Sequence, residues 1–142
     1  MISEDLDLRD ALGQNKPILC VRFDGVIHEY NAHWRLMSTV ILGAPIEGAF
    51  NFLGHAHDHF CVCVVSERNT EPMSRRSMFR WFKTHGWPVE DGRPAYLLFP
   101  RRQPECFISI DDRCLRFEGE WPSITELSKF KAWQKQTDGK HS

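Results

Sequence analysis

The sequence predicts an α/β fold in which a mostly parallel central sheet carries helices on both faces. The first observation is three short, unbroken apolar runs at 18–21, 60–65 and 95–99, which are typical of strands covered on both sides. The second is that amphipathic or capped helical stretches separate and follow these runs. Strands that alternate with helices favour parallel pairing through right-handed crossover connections.

The run ILCV at 18–21 is predicted to be the central strand. It stops at the sequence RFDG at 22–25, where charged residues flank an aromatic ring and glycine permits a sharp turn. The following stretch, 26–44, shows no sustained period and is predicted to fold as a loop over the strand end. Polar groups at the carboxyl end of a central parallel strand lie where open α/β sheets bind ligands, so the functional site is expected there.

Two helices are predicted to cover the sheet. Pro45 introduces the first, which precedes the strand at 60–65. Its apolar stripe consists of Ala49, Phe50, Leu53 and His57. The second helix begins near Pro72 and ends at Gly86, because proline suits a first helical turn and glycine suits the position after the last one. A second face of this helix, typical of a solvated surface, carries Arg76, Arg80 and Lys83.

The last third of the chain is predicted to complete the sheet and to add a final helix. After the strand at 95–99, a fourth strand is expected at 106–110 and a short edge strand at 115–117. Ser123 and Glu126 form a capping box, which predicts the start of a helix. The residues expected on the buried side of this helix are Ile124, Leu127, Phe130 and Trp133.

Composition places the chain among ordinary globular proteins. Of its 142 residues, 42% are hydrophobic and 26% are charged, and the formal net charge is -1. This length suits one domain, predicted at 17–135, after a leader or short helix at 1–16 and before a polar tail at 136–142. The near-neutral charge excludes a protein-wide surface for nucleic acid or anionic membrane, although a local basic patch stays open.

Five cysteines, an odd number, lie mostly in the apolar runs, which favours reduced, buried thiols in a cytosolic protein. Cys61 and Cys63 alternate onto one strand face and could contribute to a metal site, but the strand supplies no two further ligands. The sequence shows neither a signal peptide pattern nor an apolar run long enough to span a membrane. A cytoplasmic location is therefore expected.

Polar side chains follow three of the predicted strands. Arg22 and Asp24 follow the first, Ser66 the second, and Asp111 and Asp112 the fourth. Because parallel strands end at one edge of a sheet, these residues are expected to converge. Carboxylates there could hold Mg²⁺, and a hydroxyl could hydrogen-bond a phosphate oxygen. The alternative for the acidic pair, a capping or turn role, stays open on the bare sequence.

The sequences FDGVIH at 23–28, VVSER at 64–68 and ISIDDRCLRFEGEWP at 108–122 together resemble the haloacid dehalogenase-like (HAD) superfamily of phosphohydrolases. The resemblance covers 18–122 and points particularly to the small forms of bacteria and phages. It implies a single Rossmann-like, three-layer α/β/α domain. The intervals between the motifs leave no room for a cap domain, so the resemblance implies an open, capless site, which in this family goes with large substrates or protein partners.

The resemblance implies catalytic roles that this chain matches only in part. In the family, the first motif supplies two aspartates: a nucleophile that forms an aspartyl-phosphate, and a general acid and base. Asp24 matches the second, but Arg22 holds the nucleophile's place, and a guanidinium is neither a nucleophile nor an Mg²⁺ ligand. Ser66 matches the residue that binds the phosphoryl group, and Arg68 follows it as in the small phage-like members. The family's third motif supplies a lysine that this chain lacks, and Arg102 is expected to bind phosphate in its place.

The acidic pair matches the fourth motif of the family. Asp111 and Asp112 stand where the family binds Mg²⁺, with Asp24 as a third ligand if the metal binds. We hypothesise that Arg22 forms a salt bridge with Asp111 or Asp112 and occupies the metal's place, because an unpaired buried charge would cost several kcal/mol. The cofactor is then either Mg²⁺, as the resemblance implies, or none.

Three functional hypotheses follow. The leading one is a degenerate, HAD-like pseudoenzyme that lacks phosphatase activity and binds a protein partner or a phosphate-bearing ligand. The second is an active Mg²⁺-dependent phosphohydrolase that acts on nucleotides or nucleic-acid ends. The third is a nucleic-acid-binding module. The residues of that module would be Arg75, Arg76, Arg80, Lys83, Arg101 and Arg102, with Trp81 and Trp87 nearby.

A histidine-rich sequence, HAHDH, lies at 55–59. It approaches the HxHxDH signature of metallo-β-lactamase-like hydrolases, but it is one residue short and lies in a helical pattern. On a helix His55 and His59 would share a face and could bind a transition metal. An exposed helix end is the favoured interpretation.

The sequence also leaves open whether three tryptophans belong to the core or to an exposed interaction surface: Trp34, Trp87 and Trp121.

Overall fold

The computed structural model describes residues 16–29 and 39–133. Its strands are β1 (Ile18–Arg22), β2 (Cys61–Val65), β3 (Val89–Glu90), β4 (Arg93–Pro94), β5 (Leu97–Leu98) and β6 (Ile108–Ile110). Its helices are α1 (Ala49–Ala56), α2 (Pro72–Thr84) and α3 (Ile124–Ser128), and a 3₁₀ turn spans Glu67–Thr70. None of the helices in these ranges is both long and apolar enough to cross a membrane. The predicted leader up to residue 15, Trp34 and the predicted polar tail lie outside the described residues.

Four strands form a parallel sheet in the order β5-β2-β1-β6. β1 pairs with β2 over its whole length, from Ile18 opposite Cys61 to Arg22 opposite Val65. On its other side β1 pairs with β6. β3 and β4 form a separate antiparallel pair. The predicted α/β class with a mostly parallel sheet is therefore confirmed, and the first apolar run is an interior strand of that sheet.

The main core lies on one face of the sheet, beneath α1 and α2. Leu19 and Val21 point to this face, because side chains alternate along a strand. The helices contribute Leu53, Ala56, Met78, Trp81 and Phe82. Rings in this core lie 5.2 to 6.1 Å apart between centroids: Phe50, Trp81, Phe82 and Trp87. A buried side chain of this size contributes roughly 1.5–3 kcal/mol, so this aromatic cluster holds both helices on the sheet.

The opposite face of the sheet carries a smaller cluster that is rich in cysteine. Its buried members are Ile18, Cys20, Cys61, Cys63 and Val65. None of the five cysteines forms a disulfide bond. The prediction of buried thiols holds for the three cysteines in this cluster, but Cys106 is partly buried and Cys114 is exposed. No residue of a described helix belongs to this cluster, so the second helix layer of the predicted three-layer arrangement stays a prediction.

The two helices over the core follow their sequence signals. Pro72 lies in the first turn of α2, and the side chain of Glu71 accepts hydrogen bonds from the backbone N–H groups of the next turn. The chain leaves α2 through Gly86, whose φ of +94° suits glycine. α1 is shorter than its predicted stripe, because it ends at Ala56 and His57 caps it.

The region after β6 departs most from the sequence prediction. The predicted strand at 115–117 does not form, and α3 has only five residues. Its cap is as predicted, since the hydroxyl oxygen of Ser123 accepts a hydrogen bond from the N–H of Glu126 at 3.1 Å. The stripe predicted to be buried is instead exposed: Ile124, Leu127, Phe130 and Trp133. Helical periodicity identifies an apolar face, but it does not guarantee that another element of the chain covers it.

Candidate functional site

The carboxyl ends of β2, β1 and β6 lie side by side. Ser66 directly follows the residue that pairs with Arg22, and Asp111 directly follows the residue that pairs with Val21. Parallel pairing therefore brings polar residues from three distant parts of the sequence to one edge of the sheet. The predicted convergence is confirmed at the level of the strands.

Asp24, just beyond β1, is held by a buried arginine. Nε of Arg68 donates to Oδ2 of Asp24, and Nη2 of Arg68 donates to Oδ1, both at 3.1 Å. A bidentate pair of this kind is strong and geometrically specific. The side chain of Asp24 is 10% exposed and that of Arg68 is 1% exposed. The guanidinium that was predicted to bind phosphate thus contacts Asp24 in this structure.

His28 is the third member of this arrangement, and no motif predicted it. Its ring is buried and stacks on Phe23, with centroids 5.1 Å apart. Nδ1 lies 3.0 Å from Oδ1 of Asp24, and Nε2 lies 2.5 Å from the carbonyl oxygen of Leu42. Each ring nitrogen therefore faces an oxygen that can accept a hydrogen bond, and this fixes the orientation of the ring. The available signal was a histidine four residues after the aspartate, across a glycine turn.

Asp24 therefore lies between the His28 ring and the Arg68 guanidinium, and we call Asp24, His28 and Arg68 the Asp24 network. Burial by itself raises the pKa of Asp24. The hydrogen bond from His28 and the hydrogen bonds and charge of Arg68 outweigh burial and hold the pKa of this carboxyl below its ordinary value. The carboxylate is therefore ionised at neutral pH.

The turn after β2 positions Ser66. Its hydroxyl oxygen accepts a hydrogen bond from the N–H of Arg68 at 3.1 Å and so begins the 3₁₀ turn. Asn69 fixes the same turn, because its side-chain amide donates to the carbonyl oxygens of Val64 and Pro100 at 3.0 and 2.9 Å. The hydroxyl proton of Ser66 takes no part in these bonds and can be donated to a ligand oxygen. Asn69 is a scaffold residue that no sequence motif identified.

The two acids after β6 have different surroundings. Oδ1 of Asp111 accepts a hydrogen bond from the N–H of Arg113 at 2.9 Å, which is the turn-capping role that the sequence left open. Asp112 approaches Gly25 so closely that a Cβ atom at Gly25 would stand 2.9 Å from the carboxyl carbon of Asp112. Burial, and in addition the negative charge of Asp111, raise the pKa of Asp112. Gly25 thus permits both the positive φ of +90° and the contact between the two strand ends.

Arg22 is half-buried at the end of β1. The ion pair that we predicted between Arg22 and Asp111 or Asp112 is absent from the part of the chain that the structure describes. Asp111 instead caps its own turn, and Asp112 packs against Gly25. The ion pairs at this edge are instead those of the Asp24 network.

Comparisons of the chain with protein-family models, with curated proteins and with solved structures found no match. The resemblance to the HAD superfamily therefore depends on the three sequence motifs alone. What the site can do has to follow from its own contacts and charges.

These contacts do not fit the Mg²⁺ ion that the resemblance implies. A magnesium ligand must turn its lone pairs to the metal, but both oxygens of Asp24 accept hydrogen bonds from the guanidinium of Arg68. By the resemblance, Arg22, a fixed positive charge, holds the place of the family's nucleophilic aspartate. Within 16–29 and 39–133, no three His, Cys, Asp or Glu side chains gather closely enough to hold a metal ion.

The remaining basic candidates lie in exposed segments. Arg102 is exposed in the loop between β5 and β6. The predicted solvated face of α2 is exposed as well: Arg76, Arg80 and Lys83. Trp81 and Trp87, in contrast, are buried, and their ring N–H groups donate to backbone carbonyl oxygens. Neither ring is placed to stack on a nucleic-acid base.

The histidine-rich sequence lies at the end of α1. His55 and His59 are exposed and do not share a continuous helix, because α1 ends at Ala56. The ring of His57 contacts that of Tyr96, with centroids 4.4 Å apart. The predicted exposed helix end is confirmed.

Proposed function

We propose that this protein has a Rossmann-like, HAD-like fold and binds a phosphate-bearing ligand at the carboxyl edge of its sheet without hydrolysing it. The observation that supports this proposal is the Asp24 network. A general acid must give up a proton, and Asp24 has none to give at neutral pH, since His28 and Arg68 keep it ionised. A general base must attract a proton, and a carboxylate whose pKa is lowered by hydrogen bonds and by a paired guanidinium is a weak base.

The nucleophile of the family reaction is missing as well. Arg22 holds that position on β1, and its guanidinium keeps its proton at any ordinary pH. Of the two aspartates that carry out the family reaction, the nucleophile is thus replaced by Arg22. The other, Asp24, is present but is held as a weakly basic carboxylate. This combination favours a pseudoenzyme over a slow enzyme.

Groups suited to binding phosphate remain at the same edge. A guanidinium matches the geometry of phosphate oxygens, and Arg22 is half-buried with no carboxylate partner among the described residues. Ser66, beside it in the sheet, can donate its hydroxyl proton. Asp111 and Asp112 oppose an anion, so we expect the ligand to lie nearer to Ser66 than to β6.

The test is calorimetric binding of inorganic phosphate and of a nucleotide panel, with and without Mg²⁺. Arg22→Met should weaken binding about 10- to 100-fold, because a hydrogen bond to a charged group contributes roughly 1.5–3 kcal/mol. Arg76→Met, on the exposed face of α2, is the matched control and should bind as the natural chain does. Binding that survives Arg22→Met unchanged, or no binding of any of these ligands, refutes the proposal.

A second function, Mg²⁺-dependent hydrolysis of nucleotides or nucleic-acid ends, is favoured by one observation. Asp111 and Asp112 follow the strand that neighbours β1, as the family reaction requires. Hydrolysis of an aryl phosphate with and without Mg²⁺ separates the two functions. Turnover by the natural chain that needs Mg²⁺ and disappears in Asp24→Asn would establish an enzyme. A nucleic-acid-binding module has less support, because Trp81 and Trp87 are buried.

We place this function in the cytoplasm. Cys20, Cys61 and Cys63 are buried and form no disulfide, and cysteines stay reduced in the cytosol. Mass spectrometry of the protein from cells, after alkylation of accessible thiols, checks this placement. Disulfide-linked peptides would contradict it.

A further inference from the structure

Among the described residues, five of the exposed large apolar side chains lie close together after β6. They form the C-terminal apolar patch: Leu115 (60% exposed), Phe117 (57%), Trp121 (85%), Ile124 (78%) and Leu127 (40%). Together they line one groove of about 430 Å³. The rings of Phe117 and Trp121 contact each other, with centroids 4.8 Å apart, so part of the patch is already ordered for contact.

The size of this patch is that of an interface. At these exposed fractions, the five side chains together have an exposed surface area on the order of 600 Å². That is the upper end of the roughly 300–600 Å² that the largest patch of a monomer occupies. A standard protein interface buries roughly 800 Å² on each partner, so the patch and its polar rim have the area that a stable dimer needs.

The charges around the patch indicate what covers it. Arg116 and Glu120 line the groove itself. Glu118 lies beside them, with one carboxylate oxygen 3.8 Å from Nε of Arg116 and with both side chains mostly exposed. The rim therefore carries both signs of charge within a few residues. A two-fold interface brings the same patch of two copies together, so a rim of mixed sign can face itself favourably.

We propose that the C-terminal apolar patch docks a second copy of this chain in a two-fold symmetric dimer. Trp121 of one protomer enters the groove of its partner, and the rim arginine of one protomer faces the rim glutamates of the other. This inference is independent of the proposed phosphate site, because none of its residues belongs to the Asp24 network. A dimer through this patch would cover Ile124 and Leu127 of α3, which no described element of the chain buries.

Sedimentation velocity of the full chain over the micromolar range tests the dimer. Trp121→Ser should raise the dimer dissociation constant at least about tenfold, because buried aromatic residues dominate interface energetics. Met73→Ser, on α2 and 62% exposed, is the matched control and should leave the dissociation constant unchanged. Circular dichroism and a thermal melt verify that each variant is folded, and Ile124→Ser replaces Trp121→Ser should that variant unfold.

Charge gives a second, independent readout. Arg116→Glu makes the rim wholly acidic on both copies, so it should weaken the dimer at low salt and recover part of the loss at high salt. A natural chain that stays monomeric throughout the concentration range overturns the proposal. So does a dimer that Trp121→Ser and Arg116→Glu leave unchanged, since another surface would then hold it together.

Discussion

Replacing Arg68 by methionine measures how strongly the Asp24 network holds the sheet edge together. Methionine retains much of the arginine stem and removes its charge. Because the side chains of Asp24 and Arg68 are only 10% and 1% exposed, water screens the pair weakly. Removing one partner of a buried pair costs about 3–5 kcal/mol, since the other charge stays buried without compensation. His28 still donates to Asp24 in this variant, so we expect a loss near the lower end, about 3 kcal/mol.

Urea unfolding followed by circular dichroism measures this loss in a double-mutant cycle. Arg68→Met, Asp24→Asn and the double variant are compared with the natural chain. The double variant leaves no isolated carboxylate, so its loss should be smaller than the sum of the single losses by at least about 1 kcal/mol. Arg76→Met is the control, because Arg76 lies on the exposed face of α2, and its effect should lie within experimental error. Strictly additive losses, or an Arg68→Met loss no larger than the control's, would contradict the network.

Four further changes test the strand ends and the cap of α2. Gly25→Ala should destabilise more than Gly86→Ala in thermal melts, because both positions have positive φ but only at Gly25 would a Cβ collide with another residue; equal losses would refute this. The folded pKa of Asp24 is lowered, so its stabilisation is complete above the unfolded pKa of roughly 3.9 and is lost as the pH falls through the folded pKa. Asp24→Asn should therefore show a shallower acid decline in unfolding free energy, and an unchanged decline would count against the network. Asp112→Asn should raise stability at neutral pH, since a raised folded pKa means that folding disfavours the charged form; a loss of stability would argue against this. Glu71→Ala should lower the melting temperature by uncapping α2, and an unchanged melt would show that the cap is dispensable.

The parallel sheet could be predicted because its signals are local. The run from Ile18 to Val21 and the run from 60 to 65 are unbroken because each strand is covered on both faces. Pro72 and Gly86 mark α2 because they restrict or free the backbone at single positions. Convergence of the polar strand ends then follows from parallel pairing alone.

The contacts within the site could not be predicted, because they depend on tertiary geometry. The local sequence does not show whether the guanidinium of Arg68 pairs with Asp24, as it does in the structure, or is available to bind phosphate. His28 acquires its role only when the carbonyl oxygen of Leu42 lies opposite its second nitrogen. The prediction of a salt bridge for Arg22 was also wrong. The side chain of Asp111, one of the two acids expected to pair with Arg22, instead accepts a hydrogen bond within its own turn.

The exposed apolar face of α3 shows a different limit of prediction from sequence. The period of Ile124 and Leu127 correctly identified an apolar face, and Ser123 correctly marked the start of the helix. Periodicity implies that such a face is covered by something. Only the structure shows that no described element of the same chain covers it.

The bond between Asp24 and Arg68 also bears on the rates of folding and unfolding. The two residues are 44 positions apart, and their side chains meet only when β1 and β2 are already aligned. A contact that forms after the transition state slows unfolding and leaves the folding rate nearly unchanged. We therefore expect a chain without this pair to refold about as fast as the natural one and to unfold much faster. The Asp24 network would thus stabilise the sheet edge kinetically, by slowing its unfolding.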